Sequence, residues 1–155
     1  MPFIRATISN PELDRATQES LAKGLTDLAV TALNKPLDRT TVHVNLVPAE
    51  RYYVGGVPVD GVTGAHVEVS ITAGTNSAAE KARFISETYE LLRSTLGLLP
   101  PVAGVALYEM HPESYGYNGV SQLGFRPRQP RPVGNTGPRG RGIRRGSGSG
   151  VRASS

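Results

Sequence analysis

Ile4-Arg5-Ala6-Thr7-Ile8 alternates apolar with polar residues, and 63 positions further on Val67-Glu68-Val69-Ser70-Ile71 does so again. Alternation at a period of two marks a half-buried strand. The same shift, without a gap, superposes Leu21 on Phe84, Leu28 on Leu91, Leu33 on Leu96, Val42 on Val105 and Val44 on Leu107. It then pairs Glu50 with Glu113, Tyr52 with Tyr115 and Gly56 with Gly119. The chain therefore reads as two copies of one unit. A unit of about 60 residues is marginal alone, whereas two packed together bury more surface per residue.

Within a copy the period of the pattern changes in order. After the strand, Asn10-Pro11-Glu12 offers an N-cap, a proline suited to the first helical position and an acid near the positive helix end. Leu21, Leu25, Leu28, Ala32 and Leu33 then form one helical stripe, stopped by Asn34-Lys35-Pro36. Val42, Val44 and Leu46 resume the alternation, and Tyr52-Tyr53-Val54-Gly55-Gly56-Val57 predicts a hairpin or turn. The second copy repeats this with a capping box at Ser77-Ala78-Ala79-Glu80 and a terminating Gly97. A strand, helix and strand in this order pair in parallel through a right-handed crossover. The predicted fold is α/β: two tandem β-α-β units, residues 2–60 and 65–123, make one four-stranded sheet with two helices on one face, within a domain spanning 2–124. The other sheet face is expected to be apolar and uncovered, which points to self-association.

The full chain has 155 residues, about one domain, and 38% hydrophobic residues, enough for a modest core. Cysteine is absent, which excludes disulfides and thiolate metal sites, and His43, His66 and His111 are too far apart for a local ligand spacing. No run of about 18 apolar residues and no export signal is present, so a cytoplasmic protein is expected. The formal net charge of +4 divides unevenly: residues 125–155 hold eight arginines and no acid, while 1–124 carry an acidic excess. That tail of Gly, Pro, Arg and Ser has little to bury, and is expected to be disordered. Arg139-Gly140-Arg141-Gly142 and Arg144-Arg145 could bind nucleic acid through charge, but the tail offers only Phe125 for stacking; a solvated tail is the expectation. Its closing Gly-Ser-Gly-Ser-Gly resembles a linker.

Position 2 offers distinctive chemistry. Removal of the initiator methionine, which a proline at the second position permits, leaves a free secondary amine on Pro2. An α-amino group has an ordinary pKa near 7.7–8.0, and desolvation or a nearby cation lowers it toward the range of a general base at neutral pH. Strand parity puts Pro2 on the face of Ile4, Ala6 and Ile8, where the surroundings are apolar.

With Pro2, the helix ending at Pro36-Leu37 and the Gly55-Gly56 hairpin, the folded part resembles the tautomerase superfamily, in the manner of 4-oxalocrotonate tautomerase. Ala22-Lys23-Gly24-Leu25-Thr26-Asp27, Val54-Gly55-Gly56-Val57 and Glu109-Met110 are similar to the cis-3-chloroacrylic acid dehalogenase group. Lys35-Pro36 followed by Val42-His43-Val44 resembles macrophage migration inhibitory factor. The resemblance implies a homotrimer, with the proline in a pocket closed partly by a neighbouring subunit. It makes Pro2 the general base or acid, Lys35 a pocket lysine and Tyr52 the hairpin aromatic. The superfamily's substrate-gripping arginines fall instead on Glu12, Thr41, Thr72 and Thr75, and the dehalogenase's glutamate, tyrosine and histidine fall on Tyr117, Ala106 and Ala29.

Arg51 is a candidate replacement for a lost arginine, Tyr115 and Tyr117 join Tyr52 as candidate donors to an enolate, and His66 is placed near the pocket. Each also has a structural reading: a cation at a helix end, a solvated arginine, interface tyrosines, a surface histidine. Glu109 interrupts the apolar alternation of the last strand and is expected to meet a cation in a trimer core. The expected activity is enol-keto tautomerisation of a small 2-oxo or unsaturated carboxylic acid, without metal or organic cofactor. Pro2 is the base, Lys35 or Arg51 holds the carboxylate and Tyr52 stabilises the enolate. The alternatives are a hydratase, decarboxylase or dehalogenase of a three-carbon acid with protonated Pro2, and a non-catalytic trimeric scaffold with a nucleic-acid-binding tail.

Overall fold

A computed structural model describes residues 1–125, with the side chain of Phe125 excepted; the expectation of disorder for the arginine-rich tail lies almost wholly outside them. The first copy forms β1 (Phe3–Ile8), α1 (Arg15–Thr31) and β2 (Thr41–Leu46), followed by the short hairpin strands β3 (Tyr53–Val54) and β4 (Val57–Pro58). The second forms β5 (Ala65–Thr72), α2 (Ala78–Leu96), β6 (Gly104–Met110), the hairpin β7 (Gly116–Tyr117) and β8 (Val120–Ser121), and a terminal turn of helix, α3 (Gln122–Phe125). The main sheet has the order β2-β1-β5-β6. β2 runs parallel to β1 and β6 parallel to β5, while β1 and β5 meet antiparallel, Phe3 opposite Ser70 and Ile8 opposite Ala65. The four-stranded α/β prediction is borne out.

Alternation places Ile4, Ala6, Ile8, Val67, Val69 and Ile71 on one face, all fully buried against Leu21, Leu25 and Ala29 of α1 and Phe84 and Leu92 of α2. The two helices cross at Gly24, where a Cβ would come within 2.8 Å of the Leu91 side chain. A larger residue there forces the helices apart. Ser77 and Glu80 complete the predicted capping box: Glu80 N donates to Ser77 Oγ at 3.1 Å, and Ser77 N to the Glu80 carboxylate at 2.9 Å. Gly97 ends α2 with a positive φ of 83°.

Three local expectations are corrected. α1 is capped by Asp14, whose carboxylate accepts from Thr17 N at 2.8 Å, and not by Asn10. Asn10 instead accepts from Glu12 N at 3.0 Å in a tight side-chain turn that delays the helix by one turn. The open face of the sheet is not apolar. Phe3, Arg5 and Thr7 alternate onto it beside His43, Glu68 and Tyr108, with Glu68 held by Tyr108 Oη at 3.0 Å and facing Arg5 at 3.8 Å. Glu109, finally, meets its cation within the chain: Lys81 of α2 donates to it at 3.0 Å. Among the described residues no helix is long and apolar enough to cross a membrane.

Candidate active site

Pro2 lies at the head of β1 with its side chain fully buried, as strand parity requires, and its carbonyl accepts from Thr41 N at 3.1 Å. Because β1 and β5 are antiparallel, this end of β1 lies beside the carboxyl-terminal end of β5. The strand β6 is parallel to β5, so the hairpin that follows it also emerges here. The chain after α1 arrives from the other side. Asn34 adopts a left-handed φ of 54°, Lys35 N donates back to Ala29 O at 3.0 Å, and Pro36 directs the chain into a single 3-10 turn, Leu37–Arg39. These segments enclose a recess of about 410 Å³ whose walls include Met1, Lys35, Arg39, Thr72, Tyr117 and Gln122.

The recess is cationic, and no acidic side chain lines it among the described residues. Lys35 Nζ donates to Thr75 Oγ1 at 2.8 Å, and that hydroxyl donates to Thr72 O at 2.6 Å. Burial lowers the Lys35 ammonium pKa, against the opposing pull of Glu80. Arg39 places its guanidinium 5.9 Å from the centre of the Tyr117 ring, with Asp38 4.0 Å away. The Met1 amine is pushed below its ordinary 8.0, first by burial and then by the positive charges of Lys35 and Arg39. The single Tyr115 O–H is shared between Met1 O, in a short contact, and Ser70 O at 3.2 Å, so this phenol stands over the Met1–Pro2 peptide bond. Burial raises its pKa, while a hydrogen bond from the Phe3 backbone acts in the other direction.

Gln122 carries a further signal. Its Nε2 is buried without a hydrogen-bond partner among the described residues. A buried unmet donor is costly, on the order of 1–3 kcal/mol, and is tolerated where a ligand atom supplies the missing acceptor.

Of the residues singled out by sequence, Pro2, Lys35, Tyr115 and Tyr117 come together at this end of the sheet. Arg51, Tyr52 and His66 do not. Within the chain they line a separate recess at the far end of β1, about 16 Å away at a strand rise near 3.3 Å per residue. The reason is topological. A parallel crossover returns β2 alongside β1, so the first hairpin leaves from the carboxyl-terminal end of β1, and His66 pairs with Thr7 rather than lying beside Pro2. Sequence reasoning missed Arg39 and Gln122. Arg39 lies one turn past Lys35 on the same loop, a spacing that could have flagged it, whereas Gln122 gains its place only through the second hairpin.

Residues 2–60 match the family described as tautomerase enzyme. The described fold is similar to those of several solved structures. A fused 4-OT symmetric trimer is 23% identical, with a TM-score of 0.70, 79% of this chain and 98% of that one being covered. The protein Pt0534, solved after inactivation by 2-oxo-3-pentynoate, is 17% identical with a TM-score of 0.72 and the same coverage. A macrophage migration inhibitory factor-like protein from Entamoeba histolytica is 16% identical, covers 77% of this chain and 97% of its own, and has a TM-score of 0.63. No curated protein matches the chain by sequence.

Proposed function

We propose that this protein is a cofactor-independent tautomerase of a small 2-oxo or enolic carboxylic acid, with Pro2 as general base once Met1 has been removed. The carrying observation is the field at the chain start: a half-buried terminus flanked by Lys35 and Arg39, where an amine is pushed down from its ordinary value. Burial and the same two cations act on a Pro2 amine, favouring the neutral, proton-accepting form. This favours a base over the protonated proline of the hydratase, decarboxylase and dehalogenase alternatives. The tautomerase match of the first repeat supports the same reading.

In the proposed reaction Arg39 and Lys35 hold the substrate carboxylate by charge-assisted hydrogen bonds. Pro2 nitrogen takes the enol O–H proton, the electrons move through oxygen and the C=C bond to carbon, and the protonated proline returns its proton to that carbon. The enol becomes the ketone and the amine is regenerated. Gln122 Nε2 and the Tyr117 hydroxyl are the proposed donors to the oxygen where negative charge develops. Removal of Met1 also removes the carbonyl that Tyr115 contacts, leaving its hydroxyl beside the freed nitrogen. The similar chains described as trimers support a homotrimer for this chain.

Two measurements test the reading together. Intact mass from the native host should show a chain lacking Met1, and enolpyruvate ketonisation should fall by at least about 100-fold when the Pro2 nitrogen is acylated, the lower range for loss of a positioned acid–base group. A retained Met1, or turnover unaffected by acylation of the Pro2 nitrogen, overturns it.

A further inference from the structure

The recess at the far end of β1 has its own construction. It has a volume of about 540 Å³, and Arg51, Tyr52, Tyr53, His66, Thr7 and Val102 are among its walls. By the 63-residue repeat it is the counterpart of the Pro2 site: Ala65 takes the place of Pro2, Gly64 that of Met1 and Tyr52 that of Tyr115. Here the chain runs through instead of beginning. Gly64 N donates to Ser9 Oγ at 2.6 Å and Gly64 O accepts from Ser9 N at 2.9 Å, so a peptide link stands where the first site has an amine. A proton-transferring nitrogen is thereby lost.

What remains is a binding surface with different chemistry. The positions of Lys35 and Arg39 are taken by Leu98 and Val102, which removes both cations of the first site. Arg51, the counterpart of Ser114, supplies one from another direction, and it forms no ion pair among the described residues. Two glycines seat two rings. A Cβ on Gly64 would lie 2.6 Å from Tyr52 Cδ1, and one on Gly104 would lie 2.5 Å from His66 Nδ1. Neither ring could occupy its position over a larger residue. No acidic side chain lines the recess among the described residues. A guanidinium without a carboxylate partner asks for an anion, and flat rings beside an apolar wall ask for an aromatic body.

We propose that this recess is a second ligand site, which binds a small aromatic carboxylate and does not turn it over. Arg51 takes the carboxylate, while Tyr52, Tyr53 and Val102 contact the ring, with His66 at its edge. The inference does not depend on the activity of Pro2, because the two recesses share no lining residue.

Backbone amide NMR with 4-fluorobenzoate as the probe tests it. The expected result is saturable shifts at Gly55, His66 and Gly104 that persist when the Met1 end is perturbed by Lys35→Ala. Arg51→Ala should weaken this binding by about 10-fold or more, the loss of one charged hydrogen bond, and Arg51→Lys should recover part of it. The proposal fails if these amides do not respond to the probe, if the response is indifferent to Arg51→Ala in a variant whose spectrum shows it folded, or if they shift only with protein concentration. The last result would mean that a second copy of the chain fills the recess.

Discussion

Replacing Arg39 by alanine separates the two roles the site assigns to its charge. The side chain is about half exposed (53%), on the tip of a 3-10 turn, and its ion-pair partner Asp38 is more exposed still. Folding stability should therefore change by less than about 1 kcal/mol, the usual worth of a surface pair. Catalysis should change more. A hydrogen bond to a charged group contributes about 1.5–3 kcal/mol, and half exposure places Arg39 at the lower end, about 1.5 kcal/mol or roughly tenfold in kcat/KM. The pH profile should also move. Arg39 is one of the positive charges that lower the amine at this end of the chain, so its removal raises that pKa toward the ordinary value. A base works only when unprotonated; the acid limb of kcat/KM therefore shifts to higher pH in Arg39→Ala. Arg39→Lys keeps the charge but loses the planar fork, and should hold the acid limb near its original place while recovering only part of the rate. The assay is the decay of enol absorbance on mixing with protein across a pH series, alongside 15N NMR titration of Pro2 in processed protein. An acid limb that stays put in Arg39→Ala, with kcat/KM reduced less than twofold, would refute the placement of this guanidinium beside substrate and amine.

Phe84→Ala should cost about 3–5 kcal/mol in urea unfolding, because the ring is fully buried between sheet and helices and its loss leaves a cavity. Thr88→Val should stabilise by about 1 kcal/mol in the same experiment, since Thr88 Oγ1 is buried with no hydrogen-bond partner among the described residues and the methyl fills the same space. The Glu80 carboxyl is held below its ordinary 4.5 chiefly by the Ser77 amide and then by Asn76, with Asn34 and Lys35 adding to the effect. Its contribution is present in full above that ordinary value and is lost as the pH falls through the lower, folded one; Glu80→Gln should flatten acid-side stability loss in thermal melts.

Much of the fold could be read because local rules and tertiary packing agree. Alternation in Ile4–Ile8 and in Val67–Ile71, the helical stripe through Leu21 and Leu25, and the Ser77 capping box each describe what the residues do in the folded chain. The errors arose where several local solutions compete. Asn10 and Asp14 can both cap a helix, and the choice fell to Asp14 because Asn10 satisfies a nearer amide. The open face was read as apolar because a sheet with one covered face suggests it, yet Arg5, His43 and Glu68 stand on it by simple parity.

The site was harder to read for a reason that follows from the repeat itself. A gap-free 63-residue shift makes corresponding residues look interchangeable, so Tyr52 and Tyr115 enter any sequence argument as equals. Antiparallel pairing of β1 with β5 separates them to opposite ends of the sheet, and only one end has the start of the chain. Tyr115 therefore contacts the Met1 carbonyl, whereas the Tyr52 ring packs over Gly64 in the middle of a continuous backbone. Duplication built two like recesses, and covalent connection made them chemically unlike: a single chain can offer one terminal amine, so proton transfer by an amino-terminal proline is confined to one recess per chain. The exchange of Lys35 and Arg39 for Leu98 and Val102, with Arg51 arriving from a different direction, is the composition expected of a site released from the proton chemistry.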